Sequence, residues 1–250
     1  MFDPKQLLDQ FLGGQGGSAA WSDRRGNEPW DNRPSGGGIA DRVGGYARAN
    51  PMLTGGIAGG IAGLLLGRGF GGDLVKYGGM AMIGGLAYKA YRDYQESQQR
   101  GGQVPAHSYG PADFEPPPAD SPFSPSHAPQ RQLQLAEILI VAMIAAAKAD
   151  GHIDAEERGR IYQRLEEGGL QPEEIAFLQR ELTEPVDLER IVSGARNKEE
   201  AVEIYAASVM AIRSDTPQER DYLALLASRL KLEPGLVQSI ENTVHAVATK

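Results

Sequence analysis

The chain has 250 residues, a formal net charge of −8 and no cysteine, which excludes disulfides, thiolate metal sites and cysteine nucleophiles. The acidity lies in residues 131–250, where 14 Lys and Arg stand against 21 Asp and Glu. An acidic domain repels phosphate backbones, so we expect no nucleic acid as a partner. Composition also divides the chain: 25 of the 32 glycines precede residue 103, and eight of the 16 prolines lie between Pro105 and Pro129.

Residues 1–12 predict a short amphipathic helix. Its apolar residues recur at helical spacing: Pro4, Leu7, Leu8, Phe11 and Leu12. The segment lacks the basic start and long apolar core of a secretory signal. We expect this helix to dock on a membrane or on the rest of the chain, and a frayed terminal helix is an equal alternative. Residues 13–50 show little apolar periodicity and are predicted to be disordered.

Residues 51–95 predict a glycine-zipper helical hairpin. The uncharged run 52–67 carries glycines four residues apart: Gly55, Gly59, Gly63 and Gly67. A glycine-rich turn leads to a second apolar run, 74–90, and small-residue faces let two membrane helices approach closely. Each run is short for the ~20 residues that span a bilayer. An inserted hairpin with both termini in the cytoplasm is the leading interpretation. An interfacial or self-associating hairpin and a flexible segment are the alternatives.

The rest of the chain predicts a tether followed by an all-α domain. Residues 96–130 are rich in Gln, Gly, Pro and Ser, which is typical of an extended, semi-rigid linker. Residues 131–250 show helical apolar spacing without strand alternation, and cap signals predict about seven helices. These are Leu133–Ala149, one from Asp154, one from Pro172, Asp187–Ala195, Lys198–Arg213 after the cap Asn197, one after Thr216, and one from Pro234.

Two similar acidic loops follow apolar helices in this domain. Residues 148–157, Lys-Ala-Asp-Gly-His-Ile-Asp-Ala-Glu-Glu, and residues 214–219, Ser-Asp-Thr-Pro-Gln-Glu, resemble the loops of the TerB (tellurite-resistance) family. With the N-terminal helix and the glycine hairpin, the whole chain resembles the DUF533 group of bacterial inner-membrane proteins. The resemblance implies an all-helical TerB-like domain, no enzymatic activity and a cluster of metal-binding acids. The matching acids are Asp150, Asp154, Glu157, Asp215 and Glu219. A further acid of the family is replaced here by Arg213.

The acidic loops have two physical interpretations. A hard cation such as Ca²⁺ or Mg²⁺ prefers several oxygen ligands, and His152 would add a nitrogen for a transition metal. The loop is not an EF-hand, because Ala155 and Ile161 occupy the positions of the required Gly and Glu. Alternatively, acids at helix starts, such as Asp154 and Glu219, cap those helices and complement their dipoles. Both interpretations hold together if a cap leaves one carboxylate oxygen free.

The expected function is that of a membrane-associated, non-enzymatic protein. We expect it in the bacterial inner membrane, binding a divalent cation and acting in envelope or metal/tellurite stress. The alternative is a structural scaffold or partner-docking bundle without a metal. Expected partners are the membrane and either other proteins or further copies joined through the glycine hairpin. No small-molecule substrate is expected, because the sequence contains no recognisable nucleophile–base pair.

Overall fold

A computed structural model describes residues 2–12, 78–99, 114–124, 129–149, 170–212 and 216–248. Within these ranges the chain forms eight α-helices and no strand, which confirms the predicted all-α class. The helices are α1 (Pro4–Leu12), α2 (Gly79–Gln99), α3 (Pro129–Ala147), α4 (Pro172–Thr183), α5 (Leu188–Ser193), α6 (Lys198–Ala211), α7 (Pro217–Arg229) and α8 (Pro234–Ala248). None of these described helices is long and apolar enough to cross a membrane.

Cap residues set most of the helix starts where the sequence predicts them. Helix α4 has a proline at its first position, as does α7. The side chain of Asn197 accepts a hydrogen bond from the Glu200 backbone N–H at 2.8 Å and so begins α6. Helix α3 begins four residues earlier than predicted, at Pro129. Proline is well suited to the first position of a helix, because its fixed φ is helical and its missing N–H has no partner to lose there. The helix predicted from Asp154 lies outside the described residues.

Helices α3 and α6 form the centre of the bundle and pack along their lengths. All residues of α6 from Glu200 to Ala211 are buried, so it is enclosed on every side. Arg131 near the start of α3 bonds Glu200 near the start of α6, so the two helices begin side by side. Helix α8 packs antiparallel to α2, and its Ser239 hydroxyl donates to the Ala90 carbonyl at 2.9 Å.

Helix α1 docks on the rest of the chain, which is one of the outcomes expected for the N-terminal segment. Leu7 and Leu8 are fully buried, and Leu12 is 2 % exposed. The Asp9 carboxylate accepts the Gly79 backbone N–H at 2.6 Å, which caps the first turn of α2 from a distant part of the chain. Burial of each leucine contributes about 1.5–3 kcal/mol, and a frayed terminal helix would forfeit this energy.

The described part of the predicted hairpin, α2, packs against α1, α6 and α8. Residues 114–124, which we call the strap, cross its glycine face. A Cβ added at Gly84 would lie 2.6 Å from the Phe123 carbonyl oxygen, and one at Gly85 would lie 2.6 Å from the Phe114 ring. Gly84 and Gly85 thus leave room for the strap to approach α2 closely. The strap, which is part of the predicted linker 96–130, therefore packs against the bundle. Residues 13–50 and the zipper glycines at 55–67 lie outside the described residues.

Candidate functional site

The two acidic loops follow the two central helices of the bundle, α3 and α6. These helices begin side by side and pack against each other, which favours an arrangement in which their carboxyl ends also lie at one end of the bundle. The chain continues from Ala149 directly into Asp150, and Asp215 directly precedes Thr216, where α7 is capped. This topology supports the expectation that the loops share one site.

Only one of the five predicted metal ligands, Glu219, lies in the described residues. Its carboxylate accepts the Thr216 backbone N–H at 2.9 Å, while the Thr216 hydroxyl accepts the Glu219 N–H at 3.2 Å. This reciprocal pair is a capping box, so the capping interpretation holds for Glu219. Asp150, Asp154, Glu157 and Asp215 lie outside the described residues, as do His152 and Arg213. The described ranges by themselves contain no cluster of His, Asp or Glu suited to a metal.

Lys148, the first residue of the first loop motif, closes the end of α4. Its ammonium group donates to the Glu181 carbonyl at 2.9 Å and to the Glu184 carbonyl. Basic side chains at a helix C-terminus satisfy unpaired carbonyls and complement the helix dipole. Burial lowers the pKa of Lys148, while Glu181 and Glu184 act in the opposite direction. The motif lysine thus anchors the start of the loop to a neighbouring helix.

Arg190 bonds Glu181, the same residue of α4 whose carbonyl group accepts from Lys148. Its guanidinium donates to both Glu181 carboxylate oxygens, at 2.9 and 3.0 Å, and to Glu137 at 3.1 Å. Together with Lys148 it lines a small cavity of about 70 Å³ that also includes Val186. Both cations are already paired with carboxylates or carbonyls, so they serve the packing of α3, α4 and α5.

Two glutamates of α6 form a second acidic group that sequence reasoning missed. Glu200 is 7 % exposed and pairs with Arg131, whose Nε donates at 2.8 Å. Glu203 is 3 % exposed and has no ion-pair partner among the described residues. The available signal was an acid between Val202 and Ile204, in the run 201–211 whose other positions are all apolar except Ser208. Helical periodicity alone could not show that this whole helix is enclosed.

Comparison with known proteins places the chain in a family. The model of DUF533, a family of proteins of unknown function, matches residues 51–244. A Yersinia enterocolitica protein described as "Uncharacterized protein in ampR 5′ region" is 34 % identical over 112 residues, which cover 45 % of this chain and 81 % of that protein. No solved structure matches the chain. The match over residues 51–244 covers most of the sequence, and the chain therefore belongs to the DUF533 family.

Proposed function

We propose that this chain is a non-enzymatic, inner-membrane-associated protein whose helical bundle binds a divalent cation between two acidic loops. The observation that supports the cation site is the side-by-side start of α3 and α6, the two packed helices that the acidic loops follow. Asp150, Asp154, Glu157 and Asp215 would supply oxygens, and Glu219 would add the carboxylate oxygen not used by its cap. The TerB-like resemblance of the loops supports the same assignment.

The basic residues near the loops shape the expected affinity. Arg213 stands where the family often has an acid, and Lys148 lies two positions before Asp150. Lys148 is held by the carbonyl groups of Glu181 and Glu184 at the end of α4. Fewer negative charges weaken a hard-cation site, so we expect binding of Ca²⁺ or Mg²⁺ in the micromolar to millimolar range.

Cation binding is tested by thermal unfolding of the full chain in detergent micelles, titrated with Ca²⁺, Mg²⁺, Mn²⁺ or Zn²⁺. A ligand that binds only the folded state raises Tm, and saturation is expected to add roughly 5 °C or more. Asp150→Asn and Asp215→Asn should each abolish the rise. Asp120→Asn, an exposed acid of the strap, is the matched control and should retain it. Absence of a shift with all four ions would favour the scaffold alternative.

Membrane association is supported by residues 52–67, sixteen residues without a charge that precede α2. We expect the full chain to float with vesicles of bacterial polar lipids in a density gradient. Leu65→Asp should reduce flotation strongly, because a carboxylate in hydrocarbon costs about 2.5–3.5 kcal/mol. Leu133→Asp makes the same change at a position of α3 that is 38 % exposed, and should float like the unmodified protein. Equal flotation of both variants would contradict an anchor in residues 52–67.

A further inference from the structure

Glu203 occupies an unusual place for an acid. It lies in the middle of α6, where its neighbours Val202 and Ile204 are fully buried, and it is itself 3 % exposed. Burying an ionised carboxylate without a partner is costly, so such a group either pairs with a cation or takes up a proton. Among the described residues, the guanidinium that acts on it is that of Arg131, which is already bound to Glu200 and to the Gly194 carbonyl.

The Glu203 carboxyl lies where three parts of the chain meet. A Cβ added at Gly84 of α2 would be 3.2 Å from Glu203 Oε1 and 2.6 Å from the Phe123 carbonyl oxygen of the strap. Both oxygens therefore lie against the same point of the α2 backbone. An ionised Glu203 would place its charge beside this junction of α2 and the strap, whereas a protonated carboxyl group carries no charge and gains a hydrogen-bond donor.

The charges around Glu203 favour the protonated form. Burial raises the pKa of Glu203 well above its ordinary value; repulsion from Glu200 and Glu199 on the same helix adds to the rise, and Arg131 of α3 opposes it. The strap contributes the Phe123 carbonyl beside Gly84, and its own acids, Glu115 and Asp120, are exposed. From α8, Glu241 is engaged by the Tyr205 hydroxyl at 2.7 Å.

We propose that Glu203 is a proton-dependent latch for the strap: the neutral acid holds residues 114–124 against α2, and ionisation releases them. A carboxyl group that binds its proton more tightly in the closed state contributes stability below its ordinary pKa of 4.5. That stability is lost as the pH rises through the raised pKa of the closed state. Mild acid therefore closes the strap and higher pH opens it.

Release of the strap would be visible at Phe123. This ring is 3 % exposed and lies 5.9 Å from the Tyr88 ring and 5.7 Å from the Tyr91 ring, between centroids. Fluorine NMR of the full chain labelled with 4-fluorophenylalanine, in detergent micelles, reports on this environment. Phe123→Leu assigns the signal among the six phenylalanines.

Titration between about pH 4 and about pH 9 should move the Phe123 signal from a buried to a solvent-exposed shift, with a midpoint well above 4.5. Glu203→Gln, a neutral mimic of the protonated acid, should fold and keep the buried shift throughout. Glu199→Gln changes a neighbouring acid on α6 and should retain the transition. The proposal is overturned if the Phe123 signal does not move, if the transition persists in Glu203→Gln, or if that variant does not fold. None of these results depends on whether a cation binds at the loops.

Discussion

Replacing Leu8 by alanine is expected to destabilise the whole bundle by about 2–5 kcal/mol, although the residue lies in the N-terminal helix. Leu8 is fully buried, and the loss of its side chain leaves a cavity among α1, α2 and α3. The backbone carbonyl of Leu8 also lies 2.9 Å from the position of a Cβ at Gly79, so α1 and α2 have little freedom to collapse into the space. The free energy of unfolding is measured by chemical denaturation of the full chain in detergent, followed by circular dichroism.

The control for this prediction is Gln6→Ala, on the same helix. Gln6 is exposed, so its replacement should change the free energy of unfolding by no more than about 0.5 kcal/mol. If Leu8→Ala were equally harmless, α1 would not be part of the bundle core. Docking on a membrane or terminal fraying would then describe the N-terminal helix better.

Replacing Arg131 by methionine is the second change for which we expect a large effect, about 3–5 kcal/mol of destabilisation. The Arg131 side chain is 17 % exposed and that of Glu200 is 9 % exposed. Methionine preserves most of the volume of the side chain. It leaves the Glu200 carboxylate with one hydrogen-bond donor among the described residues, the Arg196 backbone N–H at 2.7 Å. It also removes the 2.6 Å hydrogen bond to the Gly194 carbonyl. The effect is measured by the same denaturation experiment.

Two companion variants make the Arg131 prediction specific. Glu200→Gln combined with Arg131→Met removes the unpaired charge and should recover a substantial part of the loss. Lys198→Met breaks the more exposed pair with Glu233 and should cost about 1 kcal/mol or less. A large loss in Lys198→Met, or no recovery in the double variant, would contradict burial as the cause.

The Arg131–Glu200 pair also predicts a dependence on pH. Burial alone would raise the pKa of Glu200, but the hydrogen bonds and charges of Arg131 and Arg196 outweigh it and lower the pKa. An acid with a lowered pKa in the folded state contributes stability above its ordinary pKa of 4.5, and this is lost as the pH falls through the lowered value. Glu203 has the opposite dependence: its contribution is complete below pH 4.5 and is lost as the pH rises through its raised pKa.

Local signals in the sequence predicted the helices well. Proline and asparagine or threonine caps act within one turn of the backbone, so Pro172, Asn197 and Thr216 mark helix starts without knowledge of the fold. The choice of partner for each helix could not be predicted in the same way. Gly84 and Gly85 indicate only that something approaches closely, and the sequence does not say whether it is a membrane helix or the strap. The capping of α2 by Asp9 joins residues far apart in the chain, where no local pattern exists.

The candidate cation site was predicted from a repeated loop motif, and its described member shows why such motifs are ambiguous. Glu219 is suited both to a metal and to the start of α7, because helix N-termini and cations both attract carboxylates. Glu203 escaped prediction for a different reason. Its chemistry arises from complete enclosure of α6 by other helices, and enclosure is a property of the assembled bundle.

The position of α1 has a consequence for biosynthesis. The Phe2 ring packs against Phe177 of α4, with ring centroids 4.8 Å apart, so Phe2 meets a partner that is synthesised much later. At about 5–20 residues per second, a ribosome needs roughly 10–35 s to produce the intervening chain. During that interval Phe2 lacks its aromatic partner, although α2 and α3, which pack against α1, are already made. Helix α1 can therefore begin to dock on α2 and α3 before its contact with α4 exists.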